Sequence, residues 1–325
     1  MNDLATVFGG SGFVGSQIVR ALAKRGWRVR VAVRRPGRGY RLRMLGDVGQ
    51  IEIVQANIRD RESVGRALGG AAACVNAVGV LYEAGPQSFA AVHVEGARML
   101  AEAAAAGGIG RFVHLSAIGA DPASASGYGR SKAGGEAAVR QAFPQAVVLR
   151  PSVVFGPDDS FFNRFAAMAA VSPVLPLIGG GATRFQPVYV GDVAAAAVAA
   201  LADPVAAGKT FELGGPEIYS FEALMRLMLG VVERRPRLVK VSFGLAETLG
   251  AMGDALSRLG IAPPLTRDQV EMLRADNVVA PGAPGLAELG VAATAVEAII
   301  PTYLWRYRKG GQYAEAVRAS VAASR

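Results

Sequence analysis

The sequence predicts an α/β protein: a doubly wound parallel sheet with a smaller, mainly helical C-terminal lobe. Three observations lead there. Short β-rich runs alternate with helix-like runs through the first half, and a glycine-rich turn joins the first such pair. After Arg150 the alternation gives way to segments broken by Pro and Gly, then to helical patterns. Parallel strands linked through helices cross over right-handedly, which covers both faces of one sheet.

The strand candidates are, in order, "LATVFG", "RVRVAVR", "QIEIVQAN", "ACVNAVG", "RFVHLSA" and "AVVLRPS". Around "SQIVRALAKRG", Val14, Ile18 and Leu22 recur at fourfold spacing and share one helix face. "QPVYVGDVAAAAVAAL" reads as a strand and an alanine-rich helix, and "KTFELGG" as one more strand. A helix follows, capped by Ser220, and "TRDQ" at Thr266–Gln269 fits a capping box. From there to the end the pattern looks helical.

At 325 residues, 51% hydrophobic and 19% charged, the chain is globular rather than disordered. Its 35 Lys+Arg against 26 Asp+Glu give a net charge of +9. That excess suits phosphate-bearing ligands, anionic lipid or acidic protein partners. No basic–aromatic cluster of the RNA-binding kind appears, so nucleic acid is not expected as a partner. Cys74 is the one cysteine, which excludes an intrachain disulfide and points to a reducing compartment. His93 and His114 lie at no metal-ligand spacing, and no metal is expected. "MNDLATVF" runs straight into the first strand, so no secretory leader is expected. The apolar run Val193–Ala202 is half the length of a bilayer crossing, so any membrane association would be peripheral.

"GGSGFVG" places Gly9, Gly12 and Gly15 three apart between the first strand and the first helix. Glycine there permits a tight turn, the approach of backbone to a pyrophosphate, and close helix–strand packing, which defines a Rossmann-type nucleotide fold. Unpaired N–H groups at the helix start then meet phosphate oxygens. An NAD-selective site presents an acid at the end of the second strand, whereas this chain has Arg34 and Arg35. Guanidinium groups match a 2′-phosphate in charge and fork geometry, which favours NADP(H) as cofactor. Solvation of a loop is the competing role for either arginine. Asn57, after the third strand, is placed to contact adenine. Ser11 in the loop, Ala77 after the fourth strand and Pro151 at the sixth complete the expected cofactor set. The dinucleotide domain is expected over 1–155, completed by about 183–215, with 156–182 and 216–325 forming the smaller lobe.

"GYGRSKAGG" sets Tyr128 and Lys132 four residues apart on one helix face. An ammonium beside a phenol favours phenolate, giving an acid–base group for carbonyl chemistry. Ser116, ending "RFVHLSA", would hydrogen-bond the same oxygen. Ser116, Tyr128 and Lys132 are therefore the candidate catalytic residues.

The glycine loop, these three residues, "RPSVVFGP", "QPVYVGDVA" and "FELGGPEIYSFEAL" resemble the extended and atypical short-chain dehydrogenase/reductase superfamily. "AFPQAVVLRPSVVFGPDDSFFNRFAAM" and "LTRDQVEMLRADN" are similar to the NAD(P)H-binding accessory subunit of respiratory complex I. That resemblance implies cofactor contacts from Gly9, Gly12, Phe13, Val14 and Gly15. It implies Arg34 at the 2′-phosphate, and Tyr128 and Lys132 at the nicotinamide ribose. It also implies complex I subunits as partners and a tightly held, non-catalytic nucleotide. A bacterial relative, peripheral on the cytoplasmic side of the inner membrane, is the expected setting. The alternative is a free-standing NADP-dependent reductase, or a sugar-nucleotide epimerase or dehydratase, using Tyr128 as acid–base. Active members of the superfamily carry asparagine in the helix after the fourth strand. "VHVEG" puts His93 there, as a proton relay or a buried structural residue.

Two C-terminal features complete the reading. Leu245, Leu249, Met252, Leu256 and Leu259 form one helical stripe, expected to pack on the protein's own core, with a lipid or partner face as alternative. "PTYLWRYRKGGQY" clusters Tyr303, Trp305 and Tyr307 with Arg306, Arg308 and Lys309, which suits a headgroup region or a protein interface.

Overall fold

The computed structural model describes residues 3–258, 261, 263 and 265–313. Six strands form where the sequence places them: β1 (Leu4–Phe8), β2 (Arg28–Val33), β3 (Ile51–Gln55), β4 (Ala73–Asn76), β5 (Arg111–Leu115) and β6 (Val147–Pro151). β4 is buried at every position, as a strand covered by helices on both faces must be. The short β7 (Val154–Phe155), β8 (Val174–Ile178), β9 (Arg184–Phe185) and β10 (Val188–Tyr189) leave the sheet, and β11 (Thr210–Leu213) returns to it. The result is a seven-stranded parallel sheet in the order β11-β6-β5-β4-β1-β2-β3. The strand order reverses between β1 and β4, and doubly wound sheets bind ligands in the crevice at that switch.

Helices α1 (Phe13–Lys24), α2 (Arg61–Leu68), α3 (Gly96–Ala106), α4 (Gly127–Ala142), α5 (Phe162–Val171), α6 (Val190–Ala202), α7 (Phe221–Val232), α8 (Phe243–Arg258) and α9 (Arg267–Met272) complete the chain's longer elements. On one sheet face, Ile18 and Leu22 of α1 join Val193 and Ala197 of α6, with Val14 packed at the edge. The other face is covered by α2, α3 and α4 through Val64, Leu100 and Val139. Ser220 caps α7 by accepting from Ala223 N at 3.1 Å. Thr266 and Gln269 form the capping box of α9.

The smaller lobe has its own core, including Phe162, Leu175, Phe221, Met225, Ile300 and Leu304. It is mainly helical, as expected, with short strand pairs added. β13 (Arg237–Val241) pairs in parallel with β8, and β12 (Tyr219–Ser220) pairs antiparallel with β9. Residues 275–295 carry little regular structure.

One expectation is corrected. The α8 stripe does not face the core: Leu245, Leu249 and Met252 are 57%, 49% and 66% exposed, and Leu259 lies outside the described residues. The helix instead buries its small side chains, with Ala246 fully covered. The reason is proximity to the segment entering α9. A Cβ on Gly250 would stand 2.7 Å from Arg267 N, and one on Gly253 only 1.8 Å from Leu265 O. Backbones that close leave no room for leucine. The aromatic–basic segment also makes contacts within the lobe, although Arg306 and Lys309 are exposed. Tyr303 is buried and donates to Asp159 at 2.6 Å, Arg306 bonds the carbonyl of Pro157, and Arg308 bonds that of Val231. These contacts tie the segment into the lobe.

Candidate functional site

The turn after β1 is built for a close approach. Gly9 adopts φ +78°, and Gly12 N donates to Gly9 O at 2.9 Å, closing the loop before α1 begins. A Cβ on Gly15 would stand 2.3 Å from Gly9 O, so helix and turn touch where only glycine fits. α1 has Gly12 at its N-cap, no capping side chain and no acid in its first turn. Its leading N–H groups are left for an outside acceptor. By contrast, Asp60 caps α2 and Ser126 caps α4, the helices that follow β3 and β5.

In front of this turn lies a cavity of about 200 Å³, bordered by Gly9, Ser11 and Gly12, by the ends of β2 and β3, and by Ala77–Val80 after β4. Arg34, Asn57 and Ala77 line it as expected. Arg59 also lines it, which no spacing rule singled out, and none of the lining residues is a carboxylate. Arg34 donates to Gln87 Oε1 at 2.6 Å, and Asn57 Oδ1 accepts from Arg59 N at 3.2 Å. Arg35 is exposed and does not border the cavity. Phe13, Val14 and Gly15 supply the helix start behind it. A glycine cradle, uncapped amides and two cations at the cavity's border fit a nicotinamide dinucleotide.

Ser116, Tyr128, Lys132 and Pro151 gather beyond the cavity, where β5, β6 and α4 meet. Two of the three catalytic candidates are otherwise engaged. Ser116, buried, donates its hydroxyl to Glu136, whose carboxylate is also held by Arg150 Nε at 2.9 Å and Nη2 at 2.7 Å. Lys132 donates to Leu115 O at 2.7 Å, and burial lowers its pKa to about 8 against the pull of Glu136. The Tyr128 ring packs edge-on to Phe89 and His93. Burial, then the charge of Asp268, pushes its phenol up to about 12. The ammonium was expected to lower that value. The surroundings raise it, which is unfavourable for proton transfer near neutrality.

His93 lies in the π-helical stretch Ala90–Glu95, whose wider turn precedes α3. Its Nε2 accepts from Val80 N at 3.0 Å, so its proton sits on Nδ1, which donates to Ser131 Oγ at 2.8 Å. Ser131 passes its own proton to Tyr128 O at 2.7 Å. The ring thus fixes the loop after β4 against α4. Burial, then Lys132, lowers its pKa to about 3, so it stays neutral and is no proton relay. His114 is likewise buried and lowered, against Asn76 at 3.1 Å. Cys74 is fully buried, which raises its thiol and leaves it inert. Among the described residues, no group of His, Cys, Asp and Glu could hold a metal ion.

One contributor to this region comes from far along the chain. Asp268 of α9 accepts from Ser126 Oγ at 2.9 Å, from Gly127 N, and from Tyr128 N at 3.1 Å. A lobe residue thereby caps the helix that carries Tyr128 and Lys132. Replacing it by alanine is expected to lower unfolding stability by about 2 kcal/mol, as for a strong cap with charge at a helix N-terminus. Denaturant titration checks this; Asp268→Asn, which keeps acceptor atoms, should recover part of the loss.

Fold and site together define a Rossmann-type nucleotide-binding protein. The chain belongs to the NAD dependent epimerase/dehydratase family, matched over residues 5–214, and to the complex I accessory-subunit branch of it. It is 36% identical over 316 residues to the mitochondrial NADH dehydrogenase (ubiquinone) 1 alpha subcomplex subunit 9 of Arabidopsis thaliana, covering 95% of this chain and 79% of that one. It is also 34% identical over 260 residues to the ceramide reductase of Caulobacter vibrioides, covering 80% of each. The structure of MoeE5 in complex with UDP-glucose and NAD matches with a TM-score of 0.69, 17% identity, and 98% and 100% coverage, and so shares the fold.

Proposed function

We propose that this protein is an NADP(H)-holding accessory subunit of an NADH:quinone oxidoreductase, in which the nucleotide serves structure rather than turnover. The observation that carries the reading is the state of the Ser116, Tyr128 and Lys132 set. The serine is committed to Glu136, the lysine to a backbone carbonyl, and the phenol is pushed up to about 12. The nucleotide would span the glycine turn, with Arg34 at the 2′-phosphate and Tyr128 and Lys132 at the nicotinamide ribose. A ligand that binds only the folded chain adds about 2.7 kcal/mol of stability at a hundredfold excess over its Kd. The exposed α8 stripe is the surface we assign to docking on the larger complex, peripheral to the cytoplasmic side of a bacterial inner membrane. No described helix is long and apolar enough to cross a membrane.

A second reading, a free-standing NADP-dependent reductase, is favoured by one observation: the ceramide reductase likeness extends over 80% of the chain. One experiment separates the two. The protein is purified gently from its native membranes, its bound nucleotide identified, and Arg34→Asp and Tyr128→Phe compared with the parent. Recovery with oxidoreductase subunits and NADPH is expected. Arg34→Asp should lose NADPH at least tenfold more than NADH, and Tyr128→Phe should leave assembly intact. Reductase turnover by the isolated chain, abolished in Tyr128→Phe, would establish the second reading instead.

A further inference from the structure

The cavity holds a second cation whose placement the end of β2 does not explain. Arg59 follows β3, the strand next to β2, and the two run in parallel with Val33 opposite Gln55. Arg59 borders the same cavity as Arg34. Both also reach one loop, at neighbouring residues. Arg59 Nη1 donates to Pro86 O at 2.6 Å, and Arg34 Nη1 donates to Gln87 Oε1 at 2.6 Å. The loop itself is well defined. Ala84 and Gln87 exchange backbone hydrogen bonds in both directions, at 3.2 and 3.1 Å, around Gly85 at φ +51°. At the loop's base Glu83 accepts from Phe89 N at 2.7 Å. Asp60, next to Arg59, is spent on the α2 cap. Arg59 thus donates to a backbone carbonyl and Arg34 to a side-chain amide, and no carboxylate is among the residues that border the cavity.

We propose that Arg59 is a second reader of the 2′-phosphate, acting with Arg34, and that Pro86 and Gln87 hold the two guanidiniums side by side for it. A dianionic phosphate offers three acceptor oxygens, enough for a fork from each arginine, and charge-assisted bonds outcompete those to a neutral amide or carbonyl. The inference rests on the NADP(H) reading and deepens it: selectivity comes from two strand ends and a loop rather than from one residue.

The test titrates the full chain, stripped of nucleotide, with NADPH and with NADH. Arg59→Gln is expected to weaken NADPH by ten- to hundredfold and NADH by less than threefold. Gln87→Glu should act likewise, because a carboxylate at that position neutralises Arg34 and repels the phosphate. Raising the salt concentration should narrow the parent's preference and, by less, that of Arg59→Gln, which keeps one cation. Equal weakening of both nucleotides by Arg59→Gln would assign Arg59 to the adenine ring or to the loop's structure and overturn the proposal. Unchanged NADPH affinity would overturn it too. A parent with no preference for NADPH defeats the NADP(H) reading itself, whereas a preference lost in Arg34→Asp but kept in Arg59→Gln defeats only the second reader. Unfolding midpoints of the nucleotide-free variants, expected within 2 °C of the parent, keep misfolding out of the comparison.

Discussion

Replacing Gly15 by valine is expected to cut NADPH affinity at least a hundredfold, which is about 2.7 kcal/mol. The added Cβ would lie 2.3 Å from Gly9 O and 2.9 Å from Gly10 Cα, both backbone atoms that cannot rotate aside. Relief requires the turn to open, yet Gly9 is confined on its other side. Its own Cβ position stands 2.7 Å from Ala77 O, and its φ of +78° suits glycine alone. The amides that face the diphosphate would lose their common aim, so the loss falls on both pyridine nucleotides alike. The nucleotide-free fold should also lose roughly 2 kcal/mol, as for an overpacked interior. Gly12→Ala is the internal comparison, since its Cβ would meet only Gly9 O at 3.2 Å; a loss below tenfold is expected there. Fluorescence titration of nicotinamide nucleotides reads both. Parent-like binding by Gly15→Val would remove the glycine turn from the site.

The second large effect concerns acid. His93 accepts a hydrogen bond at Nε2 and is held to about pKa 3 in the fold, against about 6.5 when unfolded. Above pH 6.5 neither state takes up the proton and its contribution is fully present. As pH falls from 6.5 towards 3, only the unfolded chain binds the proton, so stability is lost progressively. Between pH 7 and pH 4 this one ring accounts for about 3 kcal/mol. Lys132 is the charged group acting on it, with Phe89 and Tyr128 as ring neighbours and Ser131 as its acceptor. His114, lowered for the same first reason, steepens the same limb. Replacing His93 by asparagine keeps an acceptor for Val80 N and removes the titration. Urea unfolding at pH 7 and pH 4 should then show a smaller stability difference than the parent by that amount. An unchanged difference would mean the imidazole is not what resists the proton.

How much of this was legible in the sequence follows physical range. Period-two runs located β1 to β6, and glycine spacing located the turn, because both are set by neighbours within a few residues. Arg34, Asn57 and Ala77 could be placed at the cavity's border because each follows a strand at its carboxyl end, where the fold opens its crevice. Arg59 follows the same strand as Asn57, but two residues on, and only the path of residues 81–88 brings it to the cavity. Asp268 on the α4 cap and Tyr303 on Asp159 are separated in sequence by 142 and 144 residues, beyond any local pattern. Ser116 was recognised for its position, and its commitment to Glu136 and Arg150 was not, since a hydroxyl's partner is decided by packing. Hydropathy failed on α8 for a definite reason. It ranks leucine above glycine for burial, while two backbones in close approach admit glycine alone.

That inverted helix has a consequence for the free protein's fate. A chain released from the ribosome and not yet seated among partners carries three bulky hydrocarbon side chains of α8 in water. Burying them on a partner or on a second copy would take that surface out of water, so the free chain carries an apolar patch open to association.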